Sequence, residues 1–279
     1  MIESERKQII DLVRREVIPA IGCTEPIAVA LCVAKAVETL GTKPENIKVF
    51  LSANILKNAM GVGIPGTGMI GLPIAVALGA IIGKSEYQLE VLKDSTPEAV
   101  KLGKQYINEK RVCISLKEGI AEKLYIEVLC EAEGKVATAI IAGGHTTFIY
   151  IARGEEILFS KQPVGTEEQD EQNLDLNLKK VYDFALTAPL EEIRFILETA
   201  RLNKAAAESS FQGDYGHALG KVLRGRYEHQ IMGDSVFSHI LSYTSAACDA
   251  RMAGAMIPVM SNSGSGNQGI SATLPVLIF

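Results

Sequence analysis

Several things missing from this 279-residue sequence restrict its function. Lys and Arg are scattered, so no basic stripe fits a nucleic-acid groove and no polybasic patch fits a membrane surface. Net charge is -5 and the pI about 5.5, which points the same way. The opening Met1-Ile2-Glu3-Ser4-Glu5-Arg6-Lys7 reads as a charged helix start, unlike a signal peptide. The five cysteines (Cys23, Cys32, Cys113, Cys130, Cys248) are odd in number and irregular in spacing, which argues against a disulfide framework. The reducing cytoplasm is the expected compartment. There is no CxxC pair and no His pair at zinc-site spacing.

Charge is absent from two long stretches. Ala59 to Gly83 is long enough to cross a bilayer, but its seven glycines and two prolines favour a loop feeding a buried helix. Met252 to Phe279 carries no charge and stops on Leu274-Pro275-Val276-Leu277-Ile278-Phe279. Chain ends normally lie at the surface. The expectation is therefore the N-terminal portion of a longer chain whose remainder covers that end.

With 47% hydrophobic and 22% charged residues, one or two domains with a well-buried core are expected. Apolar spacing predicts helices over 3–19 and 24–40, the second apolar nearly all round and hence buried. A strand follows over 47–52, a helical turn at 57–60, a glycine-rich loop over 61–68, and helices over 69–82 and 97–108. From Arg111 the character changes. Runs at 112–116, 124–130, 136–141, 147–151 and 156–159, with Glu133-Gly134 and Arg153-Gly154 between them, predict an antiparallel meander. A linker is expected over 163–173, then helices over 175–186, 190–208, 216–224 and 232–254. The predicted class is α+β: a mainly helical core (1–108 and 174–279, the latter cut short) with a small antiparallel β-rich subdomain inserted at 109–173.

Three loops invite chemistry. Gly61-x-Gly63-x-x-Gly66 matches a dinucleotide fingerprint by letter, yet it does not leave a strand directly, and Pro65 and Gly68 prolong it. Tight turns and close packing explain its glycines better. Ser261-Asn262-Ser263-Gly264-Ser265-Gly266-Asn267 combines hydroxyls, amides and backbone N–H groups that can converge on a carboxylate. Its apolar flanks speak against a solvated linker. Cys23, in Gly22-Cys23-Thr24-Glu25-Pro26, falls where a helix begins. Free N–H groups there would favour a reactive thiolate, while a buried packing residue is the alternative. Cys113 and Cys130 are expected in the β insert, as core residues or cross-strand neighbours, and Cys248 among alanines as a packing residue. His145, on a glycine turn, is read as a hairpin residue that could reach a site.

Four stretches together resemble the L-cysteine desulfidase family, which is related to the α subunit of iron–sulfur L-serine dehydratases. They are Gly22–Pro26, Asn58-Ala59-Met60-Gly61-Val62-Gly63-Ile64-Pro65-Gly66-Thr67, Gly143-Gly144-His145-Thr146, and Pro258 to Gly269. The resemblance covers the whole chain and the N-terminal part of the family. It implies a serine dehydratase α-like helical core and a 4Fe-4S cluster acting as Lewis acid. The implied reaction eliminates sulfide or water from L-cysteine or L-serine to give pyruvate and ammonia. Cys23 is the position matching a functional cysteine, as cluster ligand or as catalytic base. Thr24, Glu25, Asn58, His145, Ser261, Asn262, Ser263, Gly264 and Asn267 match the substrate-binding stretches. In that family most cluster cysteines lie in the C-terminal third, so these 279 residues alone are expected to hold no cluster and show no turnover. The partner implied is a small amino acid, with no nucleic acid and no membrane, and a homo-oligomer stays open. A non-catalytic amino-acid-binding module is the rival reading.

Overall fold

A computed structural model describes residues 2–161, 176–225 and 233–279. The expected linker over 163–173 lies outside these residues. The α+β class holds, with a helical majority and one large sheet.

Helix α1 spans Glu3–Glu16 and ends three residues before Pro19. Residues Pro19–Ile21 form a short strand, β1, instead of continuing the helix. They pair antiparallel with β10, Pro258–Met260, from the far end of the chain. This pairing is a long-range contact that helical periodicity could not reveal.

Helix α2 (Thr24–Leu40) has the predicted bounds and ends on Gly41 in the left-handed region, which closes its last turn. Nearly every α2 side chain is buried. The helix crosses β6 (Tyr125–Ala132), β7 (Lys135–Ala142) and β8 (Phe148–Arg153). On that face the Cys32 thiol donates to the Ala139 carbonyl at 3.3 Å. Helix α4 (Leu72–Ile81) lies beside α2, with Gly79 against Ala30, and α5 (Pro97–Asn108) packs on α4. Between α2 and α4 run β2 (Asn46–Leu51), α3 (Ala53–Ala59), and the paired β3 (Gly63–Ile64) and β4 (Met69–Ile70).

The sheet runs β5 (Val112–Leu116), β2, β6, β7, β8, β9 (Glu156–Ser160). Strands β6 to β9 form the predicted meander, and β6 shows strict alternation with Ile126, Val128 and Cys130 inward. Strand β2, from within the first helical stretch, joins the sheet between β6 (antiparallel) and β5 (parallel). The sheet is therefore mixed, and α3, α4 and α5 supply the long crossover that a parallel pair requires. Cys130 lies in the core as expected, whereas Cys113, on edge strand β5, is exposed.

The rest is helical: α6 (Leu178–Thr187), α7 (Leu190–Ile193), α8 (Leu197–Gln212), α9 (Leu219–Val222), α10 (Val236–Met252) and α11 (Gly266–Ile278). Helices α8, α10 and α11 pack around a small core of Ala206, Ala207, Ala246, Ala247, Val259, Ile270 and Leu274. No described helix is long and apolar enough to cross a membrane.

Candidate functional site

The β1–β10 ribbon is three residue pairs long, so the loops leaving it stay neighbours. From β1 the chain turns at Gly22, which lies against the Pro65 ring with no room for a side chain, and enters α2 with Cys23 as N-cap. From β10 it enters Ser261–Ser265 and then α11.

Glu25, in the first turn of α2, gathers three of the predicted residues. It accepts hydrogen bonds from the Cys23 thiol (3.0 Å), the Thr24 hydroxyl (3.2 Å) and the Asn58 amide (3.4 Å). Burial by itself would raise the Glu25 carboxyl. The bonds from Cys23, its own backbone N–H and Thr24, together with nearby His145, hold it below the usual carboxylate value instead. Glu25 is thus an anion in the resting site.

Cys23 behaves differently from the thiolate that its helix-start position suggests. It is 7% exposed, and burial pushes its thiol up to about 11, with the adjacent Glu25 carboxylate adding to the rise. The favourable charge of Arg251 does not offset this. Cys23 is a proton-bearing donor to Glu25, because desolvation outweighs the helix dipole at a closed N-terminus.

His145 sits in the turn between β7 and β8, beside the second loop. Gly264, with φ +73°, brings its backbone so close to the His145 ring that a side chain there would collide with it. Burial lowers the His145 pKa, Glu25 opposes this and Arg251 adds to it, leaving a neutral imidazole at pH 7. A cavity of about 510 Å³ adjoins this contact, lined by His145, Gly143, Ser263, Gly264, Arg15 and Lys161 among others. Its walls include His145 but not Cys23, Glu25 or Asn58.

The serine–glycine loop is anchored mostly to the protein itself. Ser261 donates from both its N–H and its hydroxyl to the Ile18 carbonyl, and the Ser263 N–H donates to Glu16. Asn262 and Ser265 exchange backbone hydrogen bonds, and the Ser263 hydroxyl donates to the Asn262 side chain. Asn267 accepts from Arg251 Nη1 at 2.9 Å.

Arg251 and Asn203 were not singled out from the sequence. Arg251 is 4% exposed, lies against Gly266 where any side chain would strike the guanidinium, and its Nε has no hydrogen-bond partner among the described residues. One signal was available: Arg251 is the last charged residue, immediately before the long uncharged stretch. Asn203 of α8 is fully buried and clamps both ends of the loop. It accepts from the Met260 N–H at 2.8 Å and donates toward the carbonyls of Met260 and Gly269.

An iron–sulfur cluster needs about four protein ligands. Among the described residues, no three His, Cys, Asp or Glu side chains converge as a metal site requires. Cys32 and Cys130 are enclosed in the core, and Cys113 lies on the sheet edge. The residues described here do not by themselves fit such a cluster.

Residues 86–279 match the family described as serine dehydratase alpha chain. The chain belongs to this family. Relatives of this serine dehydratase alpha chain member carry the name UPF0597 protein. One from Bacteroides fragilis is 82% identical over 279 residues, covering 100% of this chain and 65% of the relative. One from Porphyromonas gingivalis is 48% identical over 285 residues, covering 100% and 66%. One from Oleidesulfovibrio alaskensis is 44% identical over 281 residues, covering 100% and 65%. The chain thus spans just under two thirds of the length of these relatives. No solved structure matches it.

Proposed function

We propose that this chain forms the substrate-binding part of a lyase that eliminates sulfide from L-cysteine, or water from L-serine, to give pyruvate and ammonia. The observation that carries the reading is the convergence of Cys23, Thr24, Glu25 and Asn58 by hydrogen bonds, with neutral His145 beside them. Elimination removes the α-proton and expels the β-substituent. A neutral imidazole suits the first task, and Cys23 is the residue that the resemblance offers as cluster ligand or second proton-transfer group. The resulting aminoacrylate tautomerises to an imine, which water hydrolyses to the keto acid and ammonia.

The resemblance would add a 4Fe-4S cluster as Lewis acid. The described residues offer the thiol of Cys23 toward it and no complete ligand set, so no step here passes through a metal. Anaerobic iron–sulfide reconstitution tests this part: the 279-residue chain should give no stable charge-transfer band and no pyruvate. In the full-length protein Cys23→Ser should reduce turnover about 10²-fold or more, the typical worth of a placed proton-transfer group. Activity within tenfold of wild type would remove Cys23 from the mechanism. Calorimetric binding of L-cysteine or L-serine without product from the full-length protein would instead favour the non-catalytic binding module.

A further inference from the structure

The two margins of the six-stranded sheet, β5 and β9, are built differently. Strand β5 is partly covered, and its end charges, Arg111 and Lys117, are spent on Glu109 and Glu127 at 2.6 Å each. Strand β9 is exposed at every residue from Glu156 to Ser160. Three consecutive apolar side chains there, Ile157, Leu158 and Phe159, are 59%, 50% and 43% exposed. The outward N–H and C=O groups of a margin strand have no ladder partner, so such a strand is a template for another. Margins are ordinarily blunted by proline, by charge within the strand, by bulges or by a covering element. Strand β9 has no proline, no charge from Ile157 to Ser160, and no strand beyond it among the described residues. Its one irregularity is a bulge, because Leu158 stands opposite no residue of β8.

Strand β9 does carry charge at its two ends, and of opposite sign. Glu155 and Glu156 open it, and Lys161 follows it. None of the three has an ion-pair partner among the described residues. We propose that β9 pairs antiparallel with β9 of a second copy of this chain, joining the two sheets across a two-fold axis. Centred on Leu158, the pairing sets the Glu155-Glu156 end of each copy beside Lys161 of the other, and the Ile157–Phe159 segments against each other. Centring on Ile157 or Phe159 instead sets a charge against an apolar side chain. The same pairing at β5 would set Arg111 against Lys117, like against like. Opposite-charge and apolar pairs across strands are each stabilising, and a two-fold contact makes every such pair twice. Lys161 also lines the cavity beside His145, so the contact reaches the wall of the candidate site.

Sedimentation velocity over a concentration series tests this. One strand pair is a small interface, so wild type should pass from monomer to dimer as concentration rises. Leu158→Lys puts like charges at the centre of the pairing and should leave monomer only, with an unchanged circular dichroism spectrum because the side chain is exposed. Glu155→Lys combined with Glu156→Lys should weaken the dimer about 2- to 30-fold, the usual worth of two symmetry-related cross-strand charge pairs. Lys161→Glu alone should weaken it by a similar factor. All three substitutions together restore opposite signs at the facing ends and should recover wild-type association.

Wild type that stays monomeric throughout the series overturns the proposal. So does a dimer that Leu158→Lys leaves intact, because its contact then lies elsewhere. Weakening by both charge reversals without recovery in the combined variant overturns the pairing of opposed ends. Slow amide exchange along β9 in a monomer overturns it as well, by showing that the margin is covered within a single chain.

Discussion

The sheet half and the C-terminal helical half of this protein are built to different densities. The first is a continuous core in which Ile27, Leu31, Ile47, Leu51, Leu72, Leu78, Ile126 and Ile141 are essentially inaccessible. The second is held by alanines with Val259, Ile270 and Leu274. Many large apolar side chains of the second half face outward, among them Leu178, Leu186, Leu190, Leu197, Val276 and Phe279. The candidate site lies on the seam. Glu25, Cys23 and His145 come from the dense half, while Arg251, Asn267 and the serine–glycine loop come from the thin one. A dense half fixes directions, and a thin half can yield to admit a ligand.

The largest effect that would break this contrast is a cavity. Leu31→Ala should destabilise by about 2–5 kcal/mol in urea unfolding, as buried leucine truncations do. Leu274→Ala, equally inaccessible but in the alanine core, should fall at the low end of that range. Equal losses would erase the distinction.

Alkaline pH should sharpen it. Burial raises Cys23 to about 11 and Cys130 to about 12, and pushes Cys32 well up, all in the dense half or on its edge. A raised thiol keeps its proton longer when folded than when unfolded. The folded state then binds more protons between the two values, and stability falls as pH rises through them. Urea midpoints should be flat at neutral pH and decline above about 9, the ordinary thiol value. A flat profile to pH 10.5 would contradict the buried thiols. Iodoacetamide at pH 8 should label exposed Cys113 well before Cys23.

Asn203→Ala should cost about 1–3 kcal/mol for the backbone groups it leaves unpaired. Because Asn203 holds both ends of the 261–269 loop, the same variant should weaken L-cysteine binding without touching the dense half. The smallest effect belongs to the surface pair Lys48–Glu131, 2.8 Å apart on the exposed sheet face. Lys48→Ala should change stability by less than about 1 kcal/mol, and less still in high salt.

Local pattern made much of this legible from sequence. Helix α2 and helix α5 have their predicted bounds because capping signals and apolar periodicity are properties of neighbouring residues. The meander was readable from alternation and its glycine turns. The convergence of Cys23, Glu25 and Asn58 was legible as a set of motifs, though not as hydrogen bonds. What escaped depends on distant partners. The parallel β2–β5 pairing requires knowing how three helices fold back. The protonated state of Cys23 requires knowing how deeply it is buried beside an acid. Arg251 and Asn203 stand in unremarkable helical surroundings and acquire their meaning from Gly266, Asn267 and Met260.

The β1–β10 ribbon carries a consequence for the order in which the molecule assembles. Ser261 donates to the carbonyl of Ile18, 243 positions earlier in the chain. Closing so long a loop adds an entropic term that grows only with the logarithm of its length, but it cannot begin before the distant residues exist. A nascent chain on the ribosome can complete α2 and the sheet, with Glu25 and Cys23 in place, while Arg251 and the serine–glycine loop are still unmade. The Glu25 side of the site is laid early in synthesis, and the Arg251 side joins it only after roughly 240 further residues have been made.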